Sequence, residues 1–544
     1  MIFLKLCVTL PLIMRITILY FLLFVALFNC ANRGTPSGGP IDESPPIVIS
    51  SKPENFSVNF TQNEIEIFFD EYIRLNNIQN ELIISPPINP MPIIIPMSSA
   101  KKSIVISDID SLKENTTYSF NFGESIEDNN ERNPLPNFKY VFSTGKYIDS
   151  LKLSGVVKDG YNKDISDKIH VMLYEYNSLF NDSIVYSSKP KYIAKVNDTT
   201  FSFTLENIKK GKYLVIALEE ENKNYLYESK LDKIGFNEKI IELPNDSLIE
   251  MILFKEETEF KIKTVKQNSK NSFKLGYDGI YEDFDINITD ANNSVFKNKI
   301  IFDSKSDSLV CWLKNKKDFD SLTFKISGNK FSEIFNIKVR DKEKDSLIIK
   351  SNQINILKFY EDFSLSGNIP FESINIDKIK VLDKDSISID YNVRLDNLKN
   401  ELILDFEKSE EQEYSIELLP GAITDFYENV NDTLLYKLST KAYNDFGNLK
   451  LNLKNTSGQN LIIQLLSING EVKFENLMSN SFNTEFKNIE AGNYLIRIIF
   501  DTNNNNRYDS GNYLKKIQPE KVIYLTNELD LRANWELNES IEIK

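Results

Sequence analysis

Apolar residues in this chain recur with a period of two over most of its length. Five examples are the runs Ile65–Phe69, Ile104–Ile106, Leu151–Leu153, Phe201–Leu205 and Leu322–Ile326. Successive side chains of a β-strand point to opposite faces, so this alternation predicts strands that are buried on one side. Clusters of Asn, Asp, Gly and Lys separate the runs, which is typical of antiparallel sandwiches. The pattern therefore predicts an all-β chain with very little helix.

One long segment of the sequence occurs twice. Residues 201–229 align without a gap with residues 482–510, so that position 201 matches position 482 at an offset of 281. Register over nearly thirty residues indicates a duplicated module. The matched pairs include Phe201 with Phe482, Asn207 with Asn488, Ile208 with Ile489, Gly211 with Gly492 and Tyr213 with Tyr494.

A second, fainter repeat relates Tyr118–Gly145 to Tyr414–Thr440. Each copy contains a strand-like run, an Ile-x-Asp turn that ends at Asp128 or Asp425, and an Asn-rich loop. Each then closes with a strand that ends in Ser-Thr. This pattern predicts a second kind of duplicated sandwich.

The first copy of this fainter repeat resembles the bacterial S-layer-type Ig-like domain. The resemblance rests on a Pro-rich entry, on Phe69, Glu71 and Ile73, and on the closing Phe142–Thr144. The "N-I-x-x-G-x-Y" turn of the longer repeat resembles transthyretin-like, Cna-B and carboxypeptidase-regulatory-like sandwiches. In those families Gly permits the tight turn and Tyr begins the next strand. Taken together, the chain resembles Ig-like-domain lipoproteins of Bacteroidetes.

A chain of 544 residues exceeds what one hydrophobic core supports, so several domains are expected. The expected fold is a series of tandem β-sandwiches, Ig-like and transthyretin-like, after a signal peptide and a flexible tether. The predicted segments are a lipoprotein signal peptide (1–30), a tether (31–45), an Ig-like sandwich (46–147), a transthyretin/Cna-B-like sandwich (148–254), a divergent β-sandwich (255–345), a second Ig-like sandwich (346–441) and a second transthyretin/Cna-B-like sandwich (442–544).

The first thirty residues carry the signals of export and lipidation. Arg15 precedes an apolar stretch from Ile16 to Phe28, and Cys30 follows it before a Pro/Gly/Ser spacer. The arrangement resembles a bacterial lipobox, which implies acylation of Cys30 and a membrane anchor. An uncleaved anchor and an ordinary signal peptide remain alternatives, and Met14 is a second candidate start. An outer membrane lipoprotein of a diderm bacterium is expected, facing either the periplasm or the outside.

Composition argues against most catalytic sites. The chain has a single histidine, His170, in a strand-like run, so triads and zinc sites that depend on His are not expected. Cys311 is predicted to be a buried apolar residue, because it shares a strand face with Leu309 and Leu313. A net charge of −15 with scattered basic residues argues against nucleic-acid binding. We expect a protein that is not an enzyme.

One loop has the spacing of a cation site. Asp501, Asn503, Asn505 and Asp509 follow a predicted strand, with oxygen ligands at positions 1, 3, 5 and 9 for a weak Ca²⁺ site. Asn506 stands where an EF-type loop has Gly, and Asn512 where it has Glu. The alternative is a hairpin loop whose Asn and Asp side chains bond their own backbone. Beyond this candidate, no cofactor is expected.

The expected function is that of a membrane-anchored string of sandwiches, which acts as an envelope scaffold, spacer or adhesion module. The alternative is an accessory carbohydrate-binding lipoprotein that presents polysaccharide to partner enzymes. The expected partners are the membrane, through the lipid anchor, and an envelope protein or a glycan.

Overall fold

The structure, a computed structural model, describes residues 42–543 except 167, 246, 304, 315–319, 456–457, 479–482 and 526. It is nearly all β, with 50% strand and 3% helix, which confirms the predicted fold class. It divides into two compact units. Unit 1 contains residues up to 82, 88–114 and 120–144, and unit 2 contains 83–87, 115–119 and everything from 145 onward.

Unit 1 contains an antiparallel sheet of order β1-β2-β5-β4, in which β7 also pairs with β2. Its apolar face includes Ile65, Ile67, Phe69 and Ile104, as the alternation predicts. The elements up to residue 143 are β1 (Val48–Lys52), β2 (Ile65–Leu75), α1 (Ile78–Glu81), β3 (Ile83–Ser85), β4 (Ile93–Ile95), β5 (Lys101–Ser107), β6 (Thr117–Asn121), β7 (Ile126–Asp128) and β8 (Lys139–Ser143).

The Ile-x-Asp turn of unit 1 is built around a buried carboxylate. Asp128 Oδ1 accepts the backbone N–H groups of Asn130, Glu131 and Arg132, and its Oδ2 accepts that of Asn133. Burial raises the pKa of Asp128, but these four bonds outweigh it and hold the pKa below its ordinary value. Asp425 caps the equivalent turn in unit 2 with fewer backbone bonds, since its Oδ1 accepts the backbone N–H groups of Tyr427 and Asn429 and its Oδ2 accepts the Asn429 side chain.

The first sister module, residues 148–254, consists of two facing sheets, β12-β9-β16 and β11-β10-β13-β14, with β15 beside β13. Strand β16 runs parallel to β9. The strands are β9 (Leu151–Asp159), β10 (Ile169–Glu175), β11 (Tyr192–Lys195), β12 (Ser202–Ile208), β13 (Gly211–Glu219), β14 (Lys233–Phe236), β15 (Ile241–Leu243) and β16 (Ile249–Leu253), and a 3-10 helix spans Asp182–Tyr186.

The second sister module, residues 442–544, has the same topology. Its sheets are β37-β34-β41 and β36-β35-β38-β39, with β40 beside β38 and β41 parallel to β34. The duplication predicted from sequence is therefore confirmed strand for strand. The strands are β34 (Phe446–Asn455), β35 (Asn460–Ser467), β36 (Val472–Met478), β37 (Asn483–Glu490), β38 (Gly492–Asp501), β39 (Val522–Tyr524), β40 (Leu529–Leu531) and β41 (Glu536–Ile543), and a 3-10 helix spans Tyr443–Asp445.

In the shared "N-I-x-x-G-x-Y" turn, the residue with the left-handed conformation is not the glycine, to which the resemblance assigns the tight turn. The left-handed residue is the asparagine, with φ of 57° at Asn207 and 55° at Asn488. The tyrosine hydroxyl closes the turn by donating to a carbonyl four residues back, from Tyr213 to Lys209 at 2.8 Å and from Tyr494 to Glu490 at 2.7 Å. Gly211 leaves room for that ring, since a Cβ there would lie 3.3 Å from the Tyr213 hydroxyl.

Two further β-rich segments lie between the sister modules. Residues 255–345 carry the sheets β17-β18-β21-β20 and β19-β22-β23, and residues 346–441 carry β24-β26-β30-β29, β25-β33-β31-β28 and β27-β32. The strands of the first are β17 (Lys261–Gln267), β18 (Ser272–Asp278), β19 (Asp285–Asp290), β20 (Lys297–Phe302), β21 (Leu309–Lys314), β22 (Ser321–Ser327) and β23 (Ser332–Lys338). Those of the second are β24 (Ile349–Ser351), β25 (Asn355–Ile356), β26 (Phe363–Gly367), β27 (Phe371–Ile374), β28 (Ile379–Leu382), β29 (Tyr391–Asp396), β30 (Glu401–Phe406), β31 (Glu413–Leu418), β32 (Ile423–Asp425) and β33 (Leu434–Ser439), and a 3-10 helix spans Ile376–Lys378.

Consecutive segments of unit 2 touch through polar and aromatic side chains. Lys230 forms an ion pair with Asp278 at 2.7 Å. The Tyr427 hydroxyl donates to the Leu313 carbonyl at 2.9 Å. Phe359 stacks on Tyr443 with ring centroids 4.7 Å apart. Cys311 is buried in β21, as predicted, and burial raises the pKa of its thiol.

Candidate functional site

The predicted cation loop connects β38 to β39, and its first residue is buried. Asp501 is 1% exposed, and its Oδ1 and Oδ2 accept the backbone N–H groups of Asn505 at 3.1 Å and Asn506 at 2.9 Å. A carboxylate in this position holds the backbone that follows it in a tight Asx-type turn, so that this backbone no longer pairs as a strand. The strand therefore ends at Asp501 because its side chain folds the backbone of the loop over itself.

The other three predicted residues converge on one carboxylate oxygen. Asn503 and Asn505 both donate their side-chain N–H groups to Asp509 Oδ2, the latter at 2.7 Å. Arg507 pairs with the other oxygen, Asp509 Oδ1, at 3.0 Å. The structure thus brings together the residues that the spacing singled out.

A fifth residue of the site was not predicted. Glu520 Oε1 accepts the backbone N–H of Thr502 at 2.6 Å, and its Oε2 accepts that of Asp509 at 3.0 Å, so it ties the two ends of the loop. Glu520 follows Asp509 by eleven positions and lies outside the repeat aligned from sequence. No spacing rule indicates it.

The first sister module contains a loop with a corresponding set of hydrogen bonds. Glu220 Oε2 accepts the N–H of Tyr225 at 2.8 Å. Asn222 and Asn224 both donate to Glu228 Oε1, at 3.1 and 2.8 Å. Asp232 then takes the part of Glu520, since its Oδ2 accepts the Glu228 N–H at 2.7 Å.

The two loops differ in the segment that follows. Three residues separate Glu228 from Asp232, whereas ten residues, 510–519, separate Asp509 from Glu520. The ten residues form a small hairpin with a bridge between Asn512 and Ile517, which we call the docking hairpin. It is an insertion in a duplicated loop, and it contacts the other sister module.

The docking hairpin places one aromatic residue in an apolar surface of the first sister module. Tyr513 is fully buried there among residues that we call the seat. Its ring meets that of Phe236 edge to face at 5.6 Å, and its hydroxyl donates to the Asp182 carbonyl at 2.9 Å. The seat consists of Met172, Tyr174, Val185, Leu214, Ile216, Leu218, Tyr227, Ile234, Phe236 and Phe254.

Polar contacts surround this aromatic anchor. The Tyr513 N–H donates to Glu256 Oε1 at 2.6 Å, and Ser510 Oγ donates to the Lys255 carbonyl. Lys516 pairs with Asp182 at 2.6 Å and lies 4.1 Å above the Tyr513 ring centre. A buried ring surrounded by polar partners is the arrangement of a binding hot spot.

A second contact joins the two sister sheets directly. Arg497 on β38 is 2% exposed, and its guanidinium lies 3.8 Å above the ring centre of Tyr161 from the first sister module. Arg497 also donates to the Tyr161 hydroxyl at 2.7 Å and to Gln464 Oε1 at 2.7 Å. The buried charge is therefore held by hydrogen bonds and by a cation–π contact.

The histidine lies beside the first sister loop. His170 on β10 is buried, as expected of a structural histidine, and its Nδ1 is 3.5 Å from Glu220 Oε1. Within the described residues, neither ring nitrogen nor Glu220 Oε1 has a hydrogen-bond partner. Burial lowers the pKa of His170 to about 3, helped by Lys223 and Lys195. Burial raises the pKa of Glu220 to about 7, against the N–H bond from Tyr225.

Family comparison accounts for the N-terminal part of the described chain. Residues 42–144 match the bacterial Ig-like domain family Big_5. This bears out the resemblance seen in Phe69, Glu71 and the closing Phe142–Thr144. The match covers this Ig-like domain and not the sister modules. No curated protein matches the chain.

Several solved structures also match the chain. The Bacillus anthracis TIE protein aligns at 9% identity over 94% of this chain and 76% of its own, with a TM-score of 0.14. Surface layer protein SbsC, domains 1–6, aligns at 10% identity over 89% of this chain and 67% of its own, with a TM-score of 0.13. The BSP domain of a biofilm associated protein aligns at 9% identity over 66% of this chain and 94% of its own, with a TM-score of 0.15. Scores this low carry no argument about function.

Three sequence predictions meet the structure in different ways. Cys30 and the signal segment lie outside the described residues. In the part of the chain that is described, no helix has the length and apolar character to span a bilayer. A search of the same residues for three or more His, Cys, Asp or Glu side chains grouped to hold a metal finds none. The Ca²⁺ site at Asp501, Asn503, Asn505 and Asp509 stays a prediction, with the hydrogen-bonded polar turn as its alternative.

Calcium titration separates these two interpretations. A cation would have to displace the Asn503 and Asn505 N–H groups from Asp509, so we expect weak binding, with a dissociation constant of about 1 mM. Calorimetry of the full chain should show this heat, and Asp509→Asn should remove it. Asp530→Asn, outside the loop, serves as the control. Absence of heat from the unmodified protein would establish the polar turn.

Tyr513→Ala tests the contact between the sister modules. Loss of a fully buried aromatic side chain should cost about 3 kcal/mol, and Tyr513→Phe, which loses only the hydroxyl bond, about 1 kcal/mol. Thermal unfolding of the full chain should show both shifts in that order. Leu514→Ala, a half-exposed neighbour in the same hairpin, is the control and should change little. Equal shifts for all three variants would contradict the proposed anchor.

Proposed function

We propose that this protein is a non-enzymatic lipoprotein of the bacterial envelope, whose tandem β-sandwiches act as a scaffold, spacer or adhesion module. The observation that supports this most is the contact between the sister modules. The docking hairpin and Arg497 join residues 442–544 to residues 148–254, although two other sandwiches lie between them in sequence. Buried contacts of this kind hold several modules together, which suits a scaffold that resists mechanical force or presents a binding surface.

The proposed attachment is through Cys30. An acylated cysteine followed by a flexible spacer would hold the sandwiches at a membrane surface. The spacer "ANRGTPSGGP" contains no acidic residue, and the first acids are Asp42 and Glu43. In the Bacteroidetes surface lipoproteins that the chain resembles, an acidic patch just after the acylated cysteine acts as the signal for export to the outer face. That patch is not evident here, and both a periplasmic and a surface location fit the proposal. An outer membrane lipoprotein of a Bacteroidetes-like organism is the form we favour.

Substitution of the lipidated cysteine tests the anchor. Cys30→Ala should move a C-terminally tagged protein from the membrane fraction to the soluble fraction and abolish labelling by a radioactive fatty acid. Cys311→Ala is the matched control, because that thiol is buried in β21, and it should stay membrane-bound. Protease treatment of intact cells then decides the side: loss of the tag indicates the surface, and protection until lysis indicates the periplasm. The lipoprotein proposal would be wrong if Cys30→Ala stayed in the membrane fraction and the unmodified protein took up no fatty-acid label.

A carbohydrate-binding accessory role is the second candidate, and exposed aromatic rings favour it. Tyr360, Tyr443 and Trp535 are 40%, 45% and 52% exposed. Exposed aromatic rings offer apolar faces against which sugar rings can pack. The rings lie in the second Ig-like segment and the second sister module.

Electrophoresis in gels that contain polysaccharide tests this second candidate. A glycan binder should migrate more slowly in such gels, and Trp535→Ala should reduce the retardation at least twofold. Tyr176→Ala, which removes an exposed ring elsewhere in unit 2, is the control. A scaffold without glycan affinity would migrate normally in every gel and would co-purify with envelope proteins.

A further inference from the structure

The buried pair of His170 and Glu220 is absent from the second sister loop, which nevertheless has the corresponding buried carboxylate and the corresponding bonds from two Asn side chains to one carboxylate. Asp501 replaces Glu220, and both of its oxygens accept backbone N–H groups. Ile462 stands where His170 stands, because Ile462 lies opposite Ile499 in the register in which His170 lies opposite Leu218. Folding of the loop therefore does not require the pair. Two buried polar groups that make no further bonds cost stability, so they call for another explanation.

Residues 221–228, which we call the cover loop, close over this pair. The Tyr225 ring meets the imidazole edge to face at 5.5 Å, and the Tyr225 N–H bonds Glu220 Oε2. The cover loop also contributes Tyr227 to the seat of the docking hairpin. Local opening of the cover loop would let water reach both members of the pair and would return their pKa values toward ordinary ones.

We propose that His170 and Glu220 form a proton-compensating pair, in which closure of the cover loop transfers one proton from the imidazolium to the carboxylate, so that the pair itself adds no pH dependence to closure in mildly acidic surroundings. The step conserves atoms and charge. An N–H bond of the imidazolium breaks, an O–H bond forms on Glu220, and an ion pair becomes a neutral pair. Removal of both charges is what lets the pair be buried beside an apolar surface.

The sign of the pH dependence follows from counting protons. With the loop open, the ordinary pKa values of 6.5 for His and 4.5 for Glu leave one proton between them, on His170, from pH 4.5 to 6.5. With the loop closed, the pKa values of about 3 and about 7 also leave one proton, now on Glu220. Equal proton numbers in two states give no pH dependence of the equilibrium between them.

Other charged and titratable groups face the pair from several elements. Lys223 of the cover loop and Lys195 of β11 act on His170. Asp232, beyond the cover loop, and Lys223 act on Glu220, and Tyr174 of β10 and Tyr225 lie within its field. Burial raises the pKa of both tyrosines far above neutral. Burial also raises the pKa of the Asp232 carboxyl, which accepts the Glu228 N–H, and this contribution to closure is common to the unmodified protein and to variants of His170 or Glu220. The proton that moves within the pair between pH 4.5 and 6.5 is shared by His170 and Glu220.

Each single substitution should reveal a pH dependence of loop closure that the other residue cancels in the unmodified protein. In His170→Leu, Glu220 is the one member of the pair that titrates, its pKa is raised on closure, and closure should weaken about five- to tenfold per pH unit as pH rises from 4.5 to 6.5. In Glu220→Gln, His170 is the one member that titrates, its pKa is lowered on closure, and closure should weaken about five- to tenfold per pH unit as pH falls over the same range. The unmodified protein should show a flatter response than either variant.

Hydrogen-exchange mass spectrometry of the full chain measures this closure. Protection of peptides covering 221–228 is followed at pH 4.5, 5.5 and 6.5, after correction for the known pH dependence of intrinsic exchange. Peptides covering 502–509 are the internal control, because that loop lacks the pair. His170→Gln replaces His170→Leu if the apolar variant fails to fold, as judged by circular dichroism.

Two results would overturn the proposal. One is a pH slope in the cover loop of the unmodified protein that is as steep as the slope of either single variant. The other is the same slope, or none, in both single variants. Opposite slopes in the variants with a flatter response in the parent support compensation and would not arise from a structural role alone.

Discussion

The central strands of the sister sheets are buried on both faces, and the arrangement of unit 2 depends on this. Strand β13 presents Tyr213, Val215 and Ala217 to its own sandwich core and Leu214, Ile216 and Leu218 to the seat. In a sandwich one face of each sheet normally meets water. Here the outer face is apolar as well, so it must be covered, and the docking hairpin covers it with Tyr513. The second sister sheet solves the same problem by placing its buried Arg497 against Tyr161.

The period of two was enough to predict the strands and the all-β class, and the ungapped alignment of residues 201–229 with 482–510 was enough to predict the duplicated modules. These features depend on local patterns, and the sequence preserves them. The doubly buried strands left a signal too, because residues 213–218 and 494–500 are almost continuous apolar runs and not alternating ones. That signal indicates burial on both faces without saying what provides it. The covering partner lies almost three hundred residues away, and no short-range pattern encodes such a distance.

The candidate site divides in the same way. Asp501, Asn503, Asn505 and Asp509 are found together because their bonds are made within a few residues. Glu520 and Asp232 were missed, because each is reached only after a connection whose length differs between the copies. The pairing of His170 with Glu220 joins two strands far apart in sequence. From the sequence, the histidine by itself was predicted to be structural. Its partner became evident only from the pairing of β10 with β13.

The contact between the two sister modules ties together the ends of a 400-residue stretch of chain, from 145 to 544. In a string of independent sandwiches, a unit can be gained or lost by recombination with little effect on the others. In this chain the segments 255–345 and 346–441 must bridge a fixed span, since Tyr513 has to reach its seat. Removal of one intervening sandwich would change that span and would take Tyr513 away from its seat, so the number of modules and the cover of the apolar sheet face are linked.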